Sequence, residues 1–532
     1  MLKLVFSFLF MFALLFSQST CFFSIGPDSG VTDFGRAVKS AGDVNADGFP
    51  DFMVDGKSGE ETIVYLYFGG AQLDSIPDAV FNTTGSSLAG CTFDKGGDIN
   101  GDGFDDIVIG QSAYNSKKGR ILIYYGSSSF DTIPDIIING DGEYPGFGSS
   151  VCGGLDINND GYNDIIVASD LKISPSIRRF YIFYGQKNID STANITFLST
   201  ENSTICPIQA AGKVNNDDFD DFIIGHYAYT GDDELKIKSN LYLSSANTDS
   251  IPDILFEGIT PEYWKRQFID GCGDFNNDGF NDILFGAGII SSLYLIDPGE
   301  VTAVRDTVIL QLNHDLNGFN NGQPVCFIGD YNKDGIDDMA TATYPYVSKG
   351  LYSYNVNLYF GRTTDSFSET NLYEDEIIEG KQEDFGYSLA GIGDVNGDSY
   401  SDLLIGQPAG PPAAWPPGNS TQSKVFLFSH NQSLSPVQIP PQGTVSSFIL
   451  HTNYPNPFNA TTMIHYTLTA PVPVNLDIYN IRGQRVARLY NGKQTPGEHR
   501  ITWDAGTLAS GIYIIQITAS KHTTRQKCIL LK

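Results

Sequence analysis

Residues 98–110 read DINGDGFDDIVIG, an acidic nine-residue loop that runs directly into a short apolar stretch. The same phrase, Asp-x-Asn-x-Asp-Gly-x-x-Asp, begins at Asp43, Asp98, Asp156, Asp274, Asp330 and Asp394, with a degraded copy at Lys213. Successive copies stand 55, 58, 57, 61, 56 and 64 residues apart. A period of that length marks a repeat architecture, and it governs everything else in the chain.

Each unit follows one plan. A Gly-rich segment leads into the loop, and an apolar run leaves it: Phe52–Val54, Ile107–Ile109, Ile165–Val167, Phe222–Ile224, Ile283–Phe285 and Leu403–Ile405. A second run, rich in β-branched and aromatic residues, comes next, as at Ile63–Phe68 and Ile121–Tyr125. Several units then add a third phrase, such as Ile133-Pro-Asp-Ile-Ile-Ile. With the strand before the loop, the pattern predicts four short strands per unit. Seven such units predict an all-β chain with a seven-bladed β-propeller over 21–441. Phe22–Ile25 is expected to complete the last blade and close the ring. An open array of seven units is the alternative architecture.

The loop is a set of oxygen ligands. Side chains at positions 1, 3, 5 and 9 converge when the chain turns at the Gly of position 6, and position 7 adds a carbonyl. Three carboxylates and an amide suit a hard cation, Ca²⁺ over Mg²⁺. Position 12 is mostly apolar, so the loop is not an EF-hand.

The Phe-Gly segments, acidic loops and apolar strands resemble the FG-GAP repeats of the integrin α-subunit propeller, over about residues 22–440. By position, the resemblance implies about six Ca²⁺ sites. Their ligands are Asp43, Asn45, Asp47 and Asp51; Asp98, Asn100, Asp102 and Asp106; Asp156, Asn158, Asp160 and Asp164; Asp274, Asn276, Asp278 and Asp282; Asp330, Asn332, Asp334 and Asp338; Asp394, Asn396, Asp398 and Asp402. Ser399 stands where the seventh loop should have Gly. In the fourth loop Lys213 replaces the first Asp and Asp218 the Gly. That loop is expected to be metal-free, its ammonium in the cation's place beside Asn215, Asp217 and Asp221.

Antiparallel strands alternate loops between two faces. The face opposite the acidic loops collects Tyr114, Tyr144, Tyr227, Tyr229, Tyr263, Trp264, Tyr344, Tyr346 and Trp415. Tyr114, Tyr229, Tyr263, Trp264, Tyr346 and Trp415 are the ligand-contact candidates, because aromatic rings on loops suit protein interfaces and sugar stacking. His226 is read as a surface residue. No nucleophile elbow, phosphate loop or His-rich metal cluster is evident in the sequence, so no enzyme is expected.

Charge supports this division. Of 532 residues, 32 are Lys or Arg and 62 Asp or Glu. Residues 451–532 hold nine of the basic residues and three of the acids, so the acid is concentrated in the repeats. Such a repeat region is a poor match for nucleic acid. Six bound Ca²⁺ offset part of this charge, and the metal-free repeats repel themselves. Five of the seven cysteines fall one per repeat, Cys91, Cys152, Cys206, Cys272 and Cys326, and are read as small buried side chains rather than disulfides.

Residues 1–20, with Lys3 and the apolar run Leu4–Phe16, read as a signal peptide with Ser17-x-Ser19 at the cleavage point. No transmembrane segment is expected after signal cleavage. Residues 442–450 read as a linker. Beyond it, strands at Thr462–Leu468, Val474–Tyr479, Arg485–Leu489, His499–Trp503, Gly511–Thr518 and Lys527–Leu531 suit a small immunoglobulin-like β-sandwich at 451–532, with turns at Asn480–Gly483 and Asn491-Gly492. Its YPNPFN opening (454–459), YNIRGQ (479–484), Trp503-Asp504 and Gly511-Ile-Tyr513 resemble the C-terminal sorting domain of type IX secretion cargo. That resemblance implies the type IX machinery as partner and a secreted or bacterial cell-surface location. The expected function is adhesion or capture of an extracellular protein or glycan. The second hypothesis is a polysaccharide-active hydrolase or lyase on the same propeller.

Overall fold

The structure is a computed structural model. It describes residues 19–532 apart from 28–29, 60, 84–90, 170–171, 174–175, 200–206, 230–234, 247, 258–266, 288–289, 296–307, 313–323, 344–353, 364–370, 373, 381–384, 409–422, 431–447, 455–457, 469–470, 481–483 and 520–521. The chain divides into two units, Met1–Val437 and Gln438–Lys532. The signal-peptide stretch through residue 18, and Cys206, lie outside the described residues.

Among the described residues of the first unit, seven sheets repeat one antiparallel order. Blade two shows it: Cys91–Gly97, Asp106–Gln111, Arg120–Tyr124 and Ile136–Asn139 pair in sequence. The inner strands of the other blades are Val38–Gly42, Ser150–Leu155, Ile208–Gly212, Gln267–Gly273, Val325–Gly329 and Ser388–Gly393. Each lies beside the next, and Ser388–Gly393 returns to Val38–Gly42, so the ring is closed. Blade seven takes its outer strand from the chain start, where Thr20–Ile25 pairs with Lys424–Ser429.

The second strands are buried on both faces, which is why they read as unbroken apolar runs rather than alternating ones. Asp106–Gln111 and Asp402–Gln407 are buried throughout. Seven apolar clusters of buried residues fill this unit, each shared by two neighbouring blades. One joins Phe52, Val54 and Tyr65 of blade one to Leu404, Val425 and Leu427 of blade seven. Each fully buried side chain of that size contributes about 1.5–3 kcal/mol. A lone blade lacks that cover, so the repeats stabilise one another.

The Pro-Asp phrase has a defined task. Asp135 Oδ2 accepts the Tyr125 N–H at 2.8 Å, while the Asp135 N–H donates to the Ile123 carbonyl at 2.9 Å. Asp78, Asp253 and Asp375 repeat this clamp on Phe68, Leu243 and Phe360. It sets the register of each outer strand.

The second unit has a three-stranded sheet (Phe448–Tyr454, Thr461–Leu468, Gly497–Asp504) and a four-stranded one (Arg485–Gln494, Val472–Asn480, Gly511–Ala519, His522–Leu530). Trp503 is its largest buried side chain, with Phe458 and Tyr513 rings at 5.3 and 5.5 Å. Two expectations are corrected. Asn491-Gly492 does not turn; both residues continue the strand Arg485–Gln494, opposite Asn475 and Val474, and the chain reverses between Gln494 and Gly497. Phe448–Tyr454 is a strand that begins inside the stretch read as linker.

Candidate metal sites

Six acidic loops share one backbone. Position 6 is left-handed in each: φ is 90° at Gly48, 89° at Gly103, 88° at Gly161, 94° at Gly279, 90° at Gly335 and 70° at Ser399. Position 4 is left-handed as well, at Ala46, Gly101, Asn159, Asn277, Lys333 and Gly397. These two reversals fold the loop onto its first carboxylate. Asp43 accepts the N–H groups of Asp47 and Gly48 at 3.1 and 2.8 Å. Asn45 Oδ1 accepts Asp47 N–H at 2.8 Å, and Asp47 Oδ1 accepts Phe49 N–H at 3.0 Å. The bonds recur in the loops at Asp98, Asp156, Asp274, Asp330 and Asp394.

The ninth position is the anchor. Asp51, Asp106, Asp164, Asp221, Asp282, Asp338 and Asp402 each open a second strand and are all 0% exposed. Asp106 Oδ2 takes the N–H of Ile99, and its Oδ1 takes the N–H of Gly126 beyond the third strand. Burial pushes the Asp51, Asp106, Asp164, Asp221 and Asp338 carboxyls up to about 8 and that of Asp402 to about 9; neighbouring carboxylates add to the rise. In six loops a buried carboxylate sits among like charges, a setting that a divalent ion would relieve.

Among the described residues, no group of three or more His, Cys, Asp or Glu side chains stands ready around one metal position. The ligand set includes an Asn oxygen and a carbonyl, and its carboxylates are turned onto backbone N–H groups. The donors are oxygen-only and carry spare lone pairs, so their chemistry fits a hard divalent cation.

The fourth loop differs. Among its described residues neither Asn216 nor Asp218 has positive φ. Lys213 is exposed, and no described ion pair joins it to Asp217 or Asp221, so the expected substitution of an ammonium for the cation is not what the loop does. An ammonium keeps its hydration at the rim, whereas Asp221 is fully buried.

Position 8 carries a role that the sequence reading passed over. Its side chain docks on the preceding blade. Asp105 Oδ2 accepts the Asp43 N–H at 2.7 Å, Asn163 Oδ1 the Asp98 N–H at 2.8 Å, Asp220 Oδ2 the Asp156 N–H at 2.9 Å and Asp337 Oδ2 the Asp274 N–H at 3.0 Å. Each seat is at the bulge that ends the inner strand. A Cβ on Gly42 (φ +76°) would stand 2.2 Å from Asp105 Oδ2. Pro50 fills the equivalent seat against Gly393, at the blade seven to blade one joint. The recurrence of Asp or Asn at position 8 was the available signal.

On the opposite face, Tyr114 is half-buried with the Arg120 guanidinium 3.6 Å over its ring. Tyr144 is buried beneath Arg179 at 4.3 Å, which removes it from the exposed aromatics. Arg179 also pairs with Asp141 and Glu143, while Lys117 and Lys118 are exposed. Tyr227 and Tyr229 lie in the strand Asp221–Tyr229. Tyr263, Trp264, Tyr344, Tyr346 and Trp415 lie outside the described residues. His226 is not a surface residue: it is 0% exposed, 3.1 Å from Asn240 Nδ2, because the second strand is covered on both sides. Gln111 and Gln407 occupy the same buried position in their blades. Cys152 and Cys326 are buried thiols, but Cys272 is exposed, where the inner strand ends at its bulge.

This architecture is that of a propeller built from acidic-loop repeats. Residues 98–167 match the FG-GAP-like repeat, and 385–428 the FG-GAP repeat. Residues 452–531 match the secretion system C-terminal sorting domain. The chain thus carries integrin-like FG-GAP repeats and a type IX sorting domain, which indicates a secreted or cell-surface protein. It is 31% identical to human integrin alpha-6 over 164 residues, 29% of this chain and 14% of that protein. It is 29% identical to integrin alpha-5 of Xenopus laevis over 165 residues, 29% of this chain and 15% of that one. The chain therefore spans a small part of these relatives. Among solved structures, a fungal alcohol oxidase in complex with copper aligns over 95% of this chain and 99% of its own, at 9% identity and a TM-score of 0.38. PorZ, a surface component of the type-IX secretion system of Porphyromonas gingivalis, aligns over 91% and 58%, at 13% identity and a TM-score of 0.30. Neither score carries weight for function. No described helix is long and apolar enough to cross a membrane.

Proposed function

We propose that this chain is a surface-delivered, Ca²⁺-stabilised propeller that binds an extracellular protein or glycan on the face opposite its acidic loops. One observation carries the reading. The ligand-position carboxylates hold N–H groups of their own blade and the position-8 side chains hold N–H groups of the preceding blade, so a cation there stiffens blades rather than bridging to a ligand. The opposite face keeps exposed Lys117 and Lys118 beside Arg120 and Tyr114, a setting for an anionic ligand on an otherwise acidic protein. A polysaccharide-cleaving enzyme needs two free carboxyl groups at a set spacing. The conspicuous acids here already hold N–H groups, which favours binding over cleavage. The test is an array of neutral and acidic glycans and matrix proteins, probed with and without EDTA, alongside chain-length analysis of each polysaccharide bound. Binding without shortening supports the reading; shortening of any polymer replaces it with the enzyme.

A further inference from the structure

Four side chains at the joint of blades six and seven depart from the repeat, and they meet. Position 2 of the acidic loop is Val44, Ile99, Ile157, Val214, Phe275 or Val395 elsewhere, but Tyr331 in the sixth loop. The residue after the clamp Asp is Ala79, Ile136 or Ile254 in other blades, but Glu376 after Asp375. Third strands run out through Phe68-Gly69, Tyr125-Gly126 and Phe360-Gly361, but through Ser429-His430 in blade seven; the register is the same, with Tyr124 facing Ile107 and Phe428 facing Leu403. Blade seven has a reason to differ. Elsewhere the N–H of Phe68, Tyr125, Leu243 or Phe360 is held by the clamp Asp that leads into the outer strand. The outer strand of blade seven comes from the chain start, which carries no Asp or Asn before Phe22. The buried Ser429, which pairs with Thr20, turns its hydroxyl to the seventh loop instead and donates to Asp398 Oδ2 at 3.2 Å. His430, 9% exposed, places Nδ1 3.4 Å from Glu376 Oε2, and its ring packs 5.7 Å from that of Tyr331 and 5.4 Å from that of Phe360. The fully buried Tyr331 stands between the ligand positions Asp330 and Asn332 and donates its N–H to Asp338 Oδ2 at 2.9 Å. Ser19, at the expected cleavage point, adds its N–H to Glu376 Oε1; the four side chains meet whether or not it is kept.

We infer that the sixth and seventh acidic loops form a latch on the chain-start strand: cation loading of these two loops locks Ser429 and His430, and with them the strand that closes the ring. A cation held by Asp330, Asn332, Asp334 and Asp338 fixes the backbone on both sides of Tyr331, and so the ring against which His430 rests. One held by Asp394, Asn396, Asp398 and Asp402 fixes the carboxylate that takes the Ser429 hydroxyl. Glu376 completes the grip from blade six, since an Nδ1–H facing a carboxylate suits either charge state of the imidazole. The other loops have no such reach: their position 2 is apolar, and their outer strands, where the chain runs on, carry their own clamp. A strand from the far end of the chain is otherwise the element most ready to open locally. The inference rests on the Ca²⁺ part of the proposed function and is independent of what the opposite face binds.

Hydrogen exchange of the exported full chain, in Ca²⁺ and in EDTA, tests the latch on two outer strands. Ca²⁺ should slow exchange at Phe22–Ile25 by about tenfold or more, and at the clamped Ile136–Asn139 by less than about threefold. Equal slowing of both strands, or none at Phe22–Ile25 while calorimetry shows Ca²⁺ bound, overturns the latch alone. No Ca²⁺ bound overturns the latch together with the metal reading. Asp330→Ala should abolish the slowing at Phe22–Ile25, whereas Asp156→Ala, in the third loop, should keep it; the same result from both overturns the latch. Should Asp330→Ala not fold, Ser429→Ala decides, because it removes a single hydroxyl. It should cut the slowing at Phe22–Ile25 by at least about threefold, and an unchanged value overturns the inference.

Discussion

Replacing Asp105 tests the joint between blades one and two. Its Oδ2 holds the Asp43 N–H at 2.7 Å, its own N–H donates to the Asp43 carbonyl at 3.2 Å, and its side chain occupies the space over Gly42. Asp105→Ala removes a charged acceptor and leaves the Asp43 N–H without its partner, a cost of about 1–3 kcal/mol. Asp105→Asn keeps an acceptor, and blades two and three already use Asn163 in this way, so its cost should stay below about 1 kcal/mol. Gly42→Ala meets two penalties: a left-handed φ of +76°, worth about 1–2 kcal/mol, and expulsion of Asp105 from its seat. The two alanine changes break the same staple, so the double variant should lose about 1–3 kcal/mol less than the sum of the singles. Urea unfolding of the full chain in Ca²⁺, followed by far-ultraviolet circular dichroism, measures all four variants. Additive losses, or an Asn variant as weak as the Ala variant, would refute the staple.

Three further outcomes are expected. Burial raises the Asp51, Asp106, Asp164, Asp221 and Asp338 carboxyls from 3.8 to about 8, so metal-free protein gains stability from them at low pH and loses it as pH rises from about 4 to 8, by at most about 1.4 kcal/mol per pH unit per group. Melting temperatures in EDTA should therefore fall between pH 5 and 8, and Ca²⁺ should restore most at the upper end; a flat EDTA profile contradicts this. Ser399→Gly should stabilise the seventh loop by up to about 1 kcal/mol, because Ser399 holds φ +70° where the other five matching loops have Gly; a destabilised variant would count against strain there. Trp503→Ala should cost about 3–5 kcal/mol, enough to unfold the sorting unit, and export should fail with it; normal secretion of that variant would reject a sorting role.

The repeat was legible because its chemistry is local. An Asp-x-Asn-x-Asp-Gly loop dictates its own fold through bonds spanning two to five residues, and the apolar run after it dictates a covered strand. The same locality gave the seven units, the four strands in each, the closing strand at Phe22–Ile25 and the altered fourth loop. Reading failed where burial depends on partners far along the chain. His226 looks like a loop residue until neighbouring strands cover it, and Tyr144 looks exposed until Arg179, 35 positions later, lies over it. Position 8 is silent for the same reason: its partner is the N–H of a residue some 60 positions earlier, as with Asp105 and Asp43. Glu376 and Ser19, 357 residues apart, meet only because blade seven is built from both ends of the propeller. Sequence determined what each blade is, since a blade is made by near neighbours. Tertiary structure decided which acids hold blades together, since that requires the ring to close.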